Sequence, residues 1–107
     1  MEITEIRITL RDDDKLRGFA SVTLDNCFVV RGLKVIEGAQ GMFVAMPNRR
    51  RRDGSFQDIA HPINKKTREW MESLIIAAYK EEVGRAERGE ISFPTQGTDD
   101  SALEEMY

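Results

Sequence analysis

Four consecutive arginines, Arg49 to Arg52, run directly into Asp53-Gly54 in the stretch "MPNRRRRDGSF". Guanidinium groups are planar forks of donors that match phosphate and stay charged at every relevant pH. Their chemistry is therefore that of gripping a phosphate backbone. The alternative is a solvated hairpin tip, since charged tips blunt edge strands and prevent aggregation. The run by itself is compatible with both. A second basic cluster, Lys65, Lys66 and Arg68, tips the balance toward binding. It sits where a helix begins, and lysines there oppose the macrodipole. The acidic end of the chain weighs the other way, because it could fold back and screen the patch.

The other candidate residues do not assemble into catalytic machinery. His61 is the sole histidine, and no nucleophile pattern accompanies it and Asp58, so it is expected to be a structural hydrogen-bonder at a strand-to-helix junction. Cys27, the sole cysteine, lies beside Phe28 and Val29 and is expected to be a small buried hydrophobe. One cysteine excludes an internal disulfide framework and a cysteine-based zinc site. Gly38 and Gly41 lack the spacing and lysine of a phosphate loop. Asp12 to Asp14 lack the ligand spacing of a calcium loop. The expectation is a non-enzyme with no catalytic residue, no metal and no cofactor.

These residues must be positioned by a small domain. The chain has 107 residues, 33% of them charged and 40% hydrophobic, which suits one well-solvated domain with a thin core. Net charge is −3. Residues 1–69 carry 13 Lys/Arg against 10 Asp/Glu, and residues 70–107 carry 3 against 9. A basic body with an acidic end hints at a nucleic-acid partner. "MEITEIRITL" has no basic segment leading into an apolar run, and no stretch reaches the ~20 apolar residues of a membrane helix. A cytoplasmic protein with no membrane partner is expected.

Alternation of Ile6, Ile8 and Leu10 with Arg7 and Thr9 predicts a half-buried strand over 3–10. Asp12 to Lys15 is a turn. Leu16, Ala20, Val22 and Leu24 alternate with Arg17, Ser21 and Thr23 in a second strand. Asp25-Asn26 turns the chain again. Residues 27–37 read as a third strand, with Gly32 marking a bulge or bend. After Gly38 to Gly41, residues 42–46 form a fourth, apolar on both faces. Asp53-Gly54 predicts a hairpin turn with a short returning strand over 56–59, which puts the arginines on an exposed arm. Pro62 stops that strand, Asn64 is a natural N-cap, and the spacing predicts a helix over 65–83 with Gly84 as its C-terminal stop. Trp70 has a ring that could stack on a base, but it lies on the apolar face. With Leu74, Ile75 and Ala78 it is expected to pack on the sheet or across a dimer. Residues 85–107 read as an acidic, flexible tail with a short helix at 101–106 as an option. The chain is thus an α+β domain over 1–84, an antiparallel sheet of four to five strands packed with one C-terminal helix, plus a tail.

Within residues 1 to 80 the chain carries "TLD", "FVV", "VIEG", "GMFVAMP", the "DG" turn and "DIAHPIN". With these motifs it resembles the stage V sporulation protein G (SpoVG) or septation-protein family. The resemblance implies a small bacterial protein, an antiparallel sheet with a helix, assembled as a homodimer. Members of that family are implicated in septation, sporulation and control of gene expression, with several binding DNA and some RNA. Basic residues after the "AMP" strand are linked to DNA binding in that family. Arg49 and Arg50 occupy those positions. Relatives commonly carry a Thr-Pro pair where this chain has Arg51 and Arg52, and a His-Asp pair where it has Arg31-Gly32. Members occur in bacteria that do not sporulate, so sporulation itself is not implied. The resulting expectation is a DNA-binding, and secondarily RNA-binding, regulator. Arg49 to Arg52 would contact phosphates, Lys65, Lys66 and Arg68 would support them, and Asn48 or Gln57 would be candidates for a base edge. The competing expectation is a module that acts through a division or regulatory protein partner, with the arginines only solubilising.

Overall fold

In the computed structural model, which describes residues 1–91, strands β1 (Ile3–Leu10), β2 (Leu16–Leu24), β3 (Phe28–Gly38) and β4 (Gly41–Ala45) form an antiparallel meander in that order. Strands β5 (Asn48–Arg50) and β6 (Phe56–Asp58) pair only with each other, as a separate two-stranded sheet. Helix α1 (Lys65–Glu87) follows. The expected α+β architecture is present, with the arm standing apart from the main sheet instead of widening it.

The β2–β3 connection is built on a β-turn. Asp25 and Asn26 both take left-handed φ values, 50° and 56°, the pairing a two-residue hairpin turn requires. Cys27 closes the turn, its N–H donating to the Leu24 carbonyl at 3.0 Å. The turn is tied to β1 by Glu2 N–H to Asp25 Oδ1 at 3.1 Å and Asn26 N–H to Thr4 Oγ1 at 3.0 Å. Membership of the turn leaves Cys27 exposed, which overturns the expectation of a buried thiol.

Register shifts set which side chains face the helix, one between β1 and β2 beside Ile3 and two between β2 and β3. Gly32, at φ 84°, lies where β3 carries one more residue than β2, between the Ala20–Leu33 and Val22–Val30 pairs. The bend expected there is this bulge. A second one at Arg17, between the Leu16–Ile36 and Gly18–Val35 pairs, has no signal in the sequence. It turns Leu16 away from the side it would share with Ala20 and puts it in line with Ile36 and Phe43.

One face of the sheet supplies Leu10, Ala20, Val22, Leu33, Val35 and Val44 to the core, and Met46, just past β4, joins them. Helix α1 covers that face with Met71, Ile75, Tyr79 and Ala86. It rests mainly on β1 and β4. Over β2 it needs small residues: a Cβ on Gly18 would stand 3.7 Å from the Tyr79 ring and only 3.0 Å from the Thr9 carbonyl oxygen. The Tyr79 hydroxyl in turn accepts from Arg17 Nε at 3.4 Å, which raises the Arg17 pKa further. On the opposite face the Arg11 guanidinium lies 5.3 Å from the Phe19 ring centre.

The helix does not stop at Gly84. A glycine inside a helix costs about 1 kcal/mol relative to alanine, and buried Ala86 with the Arg85–Glu82 ion pair at 2.6 Å carries the helix past it. The left-handed residue is Gly89, at φ 77°. Gly89 N–H donates to Ala86 O at 3.1 Å and Glu90 N–H to Arg85 O at 2.9 Å, the paired bonds of a Schellman ending. Residues 85–91, read as the start of the tail, therefore finish the helix and cap it. The rest of the expected tail and its optional short helix lie outside the described residues.

Candidate nucleic-acid interface

The arm is closed at its base by Ile59 N–H donating to the Pro47 carbonyl at 2.7 Å. It is closed at its tip by Arg51 N–H to Ser55 O at 2.7 Å and Gly54 N–H to Arg51 O at 3.0 Å. Arg52 and Asp53 occupy the centre of that last turn, and Gly54 follows at φ 89°. This is the three-residue hairpin loop in which a turn is completed by a left-handed glycine.

Asp53 directly follows the arginine run, where it could neutralise a neighbour. It is engaged elsewhere. Its Oδ1 accepts from Ser55 Oγ at 2.6 Å and from Ser55 N–H at 2.9 Å. Those bonds, the hydroxyl's first, hold its carboxyl below the usual carboxylate range. Among the described residues none of Arg49, Arg50, Arg51 and Arg52 makes an ion pair. All four are exposed. Cross-strand partners point to the same side of a sheet. Arg50 therefore shares one side of the arm with Phe56, its partner, and with the Asn48–Asp58 pair. Arg49 shares the other with Gln57. The two candidate base-reading residues, Asn48 and Gln57, thus lie on opposite sides. Asn48 is half-buried, with Nδ2 donating to Met46 O at 3.0 Å, whereas Gln57 is exposed.

Lys65, Lys66 and Arg68 lie in the first turns of α1, all exposed. The Asn64 carboxamide oxygen accepts from Thr67 N–H at 2.7 Å, the expected N-cap. Lys65 pairs with Glu69 at 3.7 Å, an exposed contact of little energetic weight. Lys66 and Arg68 make no ion pair among the described residues. This cluster and the arginines occupy separate elements joined by residues 59–64. Neither strand of the arm packs extensively on the helix or on the main sheet. In the joining segment His61 is exposed, its Nδ1 lying 2.9 Å from the Pro62 carbonyl oxygen.

Of the expected packing residues, Ile75 is fully buried and Trp70 and Ala78 are half-buried, with Trp70 packed against the core. Leu74 remains 38% exposed. Phe56 was not singled out from the sequence. It is 69% exposed, on the same side of the arm as Arg50. A register count from Asp53-Gly54 would have paired the two, because hairpin loop length fixes register.

Among the described residues no group of three His, Cys, Asp or Glu side chains could hold a metal ion. No helix among them is long and apolar enough to cross a membrane.

The SpoVG family model matches residues 1–81. A relative named "Putative septation protein SpoVG" from Bdellovibrio bacteriovorus is 53% identical over 83 residues, covering 78% of this chain and 77% of the relative. A protein of the same name from Anaeromyxobacter sp. strain Fw109-5 is 51% identical over 100 residues, 94% of this chain and all of the relative. One from Clostridium beijerinckii is 50% identical over 84 residues, 78% of this chain and 92% of the relative. These names denote a septation protein and not an enzyme.

Proposed function

This chain belongs to the SpoVG family, and on that premise we propose that it is a cytoplasmic, nucleic-acid-binding regulator of gene expression tied to septation. It works as a homodimer and holds phosphates with its paired arginine arms. The observation that carries this reading is the arm itself: four exposed arginines without an ion-pair partner among the described residues, on a hairpin that packs on little else. A run of four guanidinium groups that no carboxylate among the described residues neutralises matches the charge and geometry of a phosphate polyanion. Lys65, Lys66 and Arg68 support the arm from the helix start. Phosphate contacts position a protein without reading sequence. Any base readout from the arm falls more readily to exposed Gln57 than to Asn48, which is tied to Met46.

The test is a fluorescence-anisotropy titration against duplex DNA and single-stranded RNA over a range of salt. If each subunit of a dimer neutralises about four phosphates, log K falls against log salt with a slope of roughly −7. Changing Arg49 to Arg52 all to Ala should remove both the affinity and the slope. Equal binding by that variant would refute the arm's role.

A second reading has its own observation. Leu74, Ile59 and Ile63 are 38%, 68% and 90% exposed, a set of apolar side chains that a protein partner could cover. Binding to such a partner would show little salt dependence.

A further inference from the structure

The arm carries one side chain that phosphate binding does not explain. Phe56 presents an aromatic ring that is 69% exposed. It does not anchor the arm to the body, since β6 packs chiefly on β5. Its ring has no cation or ring partner among the described residues. Arg50, its cross-strand partner, reaches toward the turn: its Nη2 lies 3.8 Å from where a Cβ on Gly54 would stand. One side of the arm therefore carries an exposed ring and, on the residue paired with it, a guanidinium that no carboxylate among the described residues neutralises. Asp58 shares that side two residues along and marks where the basic strip ends. The other exposed aromatic rings among the described residues lack this setting. Phe28, 64% exposed, follows the acidic turn at Asp25, and Phe43, 42% exposed, lies beside Ile36 on the main sheet.

A ring beside a cation is the pairing that binds single strands. The cation holds the backbone, and the ring takes the π-face of a base. In a duplex those faces are already stacked, and a Phe in the groove would meet little more than a thymine methyl. Unpaired bases can be splayed onto an aromatic side chain. We propose that the Arg50–Phe56 side of the arm is a stacking site for an unpaired base of a single-stranded nucleic acid, with Phe56 under the base and Arg50 on the adjoining phosphate. The proposal rests on the nucleic-acid reading above and gives it a substrate class. Stacking tolerates every base, so the site confers strandedness and not sequence.

The test uses the full-length protein and four labelled probes of one length: a mixed-sequence single strand as DNA, the same as RNA, its DNA duplex, and an abasic strand of equal charge. Wild type should prefer the base-bearing single strands. Phe56→Ala should weaken binding to them roughly 5- to 100-fold and leave the abasic strand and the salt slope unchanged. Phe56→Trp should keep the preference. The DNA and RNA arms show which sugar is favoured. The proposal is overturned if Phe56→Ala binds every probe as wild type does, or loses the duplex and abasic strand equally. It is also overturned if Phe56→Ala lowers the mass seen in light scattering, which makes Phe56 a contact between subunits. Failure of the underlying reading is separable: wild type would then bind no probe, or the variant with all four arginines changed would bind as well as wild type.

Discussion

Replacing Gly54 by Ala should weaken nucleic-acid binding without lowering the melting temperature. Gly54 sits at φ 89°, a conformation that costs an L-residue about 1–2 kcal/mol. Space is not the difficulty, because the nearest atom to an added Cβ is Arg50 Nη2 at 3.8 Å, an ordinary contact. The whole penalty therefore falls on the turn. Two-stranded hairpins are marginal by themselves, and this one packs chiefly on itself. A penalty of about 1–2 kcal/mol moves its closed-to-open ratio by roughly 5- to 30-fold. Apparent affinity falls by up to that factor, since only the closed fraction binds. Phe56 and the arginines remain in place chemically, so the salt slope at saturating closure is unchanged. The core lies elsewhere, among Leu33, Val35, Val44 and Ile75, so the thermal midpoint should stay at the wild-type value. Anisotropy titration gives the affinity, amide hydrogen exchange at Arg51 and Gly54 reports closure, and a thermal melt followed by circular dichroism gives the midpoint. Gly54→Asn should recover part of the loss, because asparagine tolerates left-handed φ. Faster exchange with wild-type affinity would refute the idea that a preformed arm binds. A midpoint lowered by several degrees would refute the separation of arm from core.

Ile75→Ala removes a fully buried side chain and should destabilise the domain by about 2–5 kcal/mol, read as a shifted urea midpoint. Asn64→Ala leaves the Thr67 N–H without its 2.7 Å acceptor and should cost about 1 kcal/mol; Asn64→Asp should largely preserve stability and also offset Lys65 and Lys66. Asp53 is held below the usual carboxylate range by the Ser55 hydroxyl and amide. Its depressed pKa makes the ionised form the one that braces the turn, so the bracing is complete above the ordinary carboxylate pKa and is lost as pH falls through the lowered folded value. The Ser55 amide resonance should follow that titration in NMR, and Asp53→Asn should abolish it.

The strands and the helix start were legible because their cues are local. Period-two alternation marks a half-buried strand wherever it occurs, and Ile6, Ile8 and Leu10 need no distant partner to show it. Asn64 announces a cap, and Asp53-Gly54 a hairpin, because each supplies a backbone geometry that few residues can. The arginine run was visible as charge alone. What could not be read locally depended on partners across the fold. The bulge at Arg17 exists only in the register of β2 against β3, so the side of the sheet that Leu16 takes was undetermined. Two glycines were available to end the helix, and Ala86 packing into the core favoured Gly89 over Gly84. Cys27 beside Phe28 read as buried until the two left-handed residues before it placed it in a turn. Sequence determined that this chain carries four arginines beside a hairpin turn. Tertiary structure decided that they stand on an arm apart from the core with Phe56 exposed among them, because exposure is a property of what the rest of the chain fails to cover.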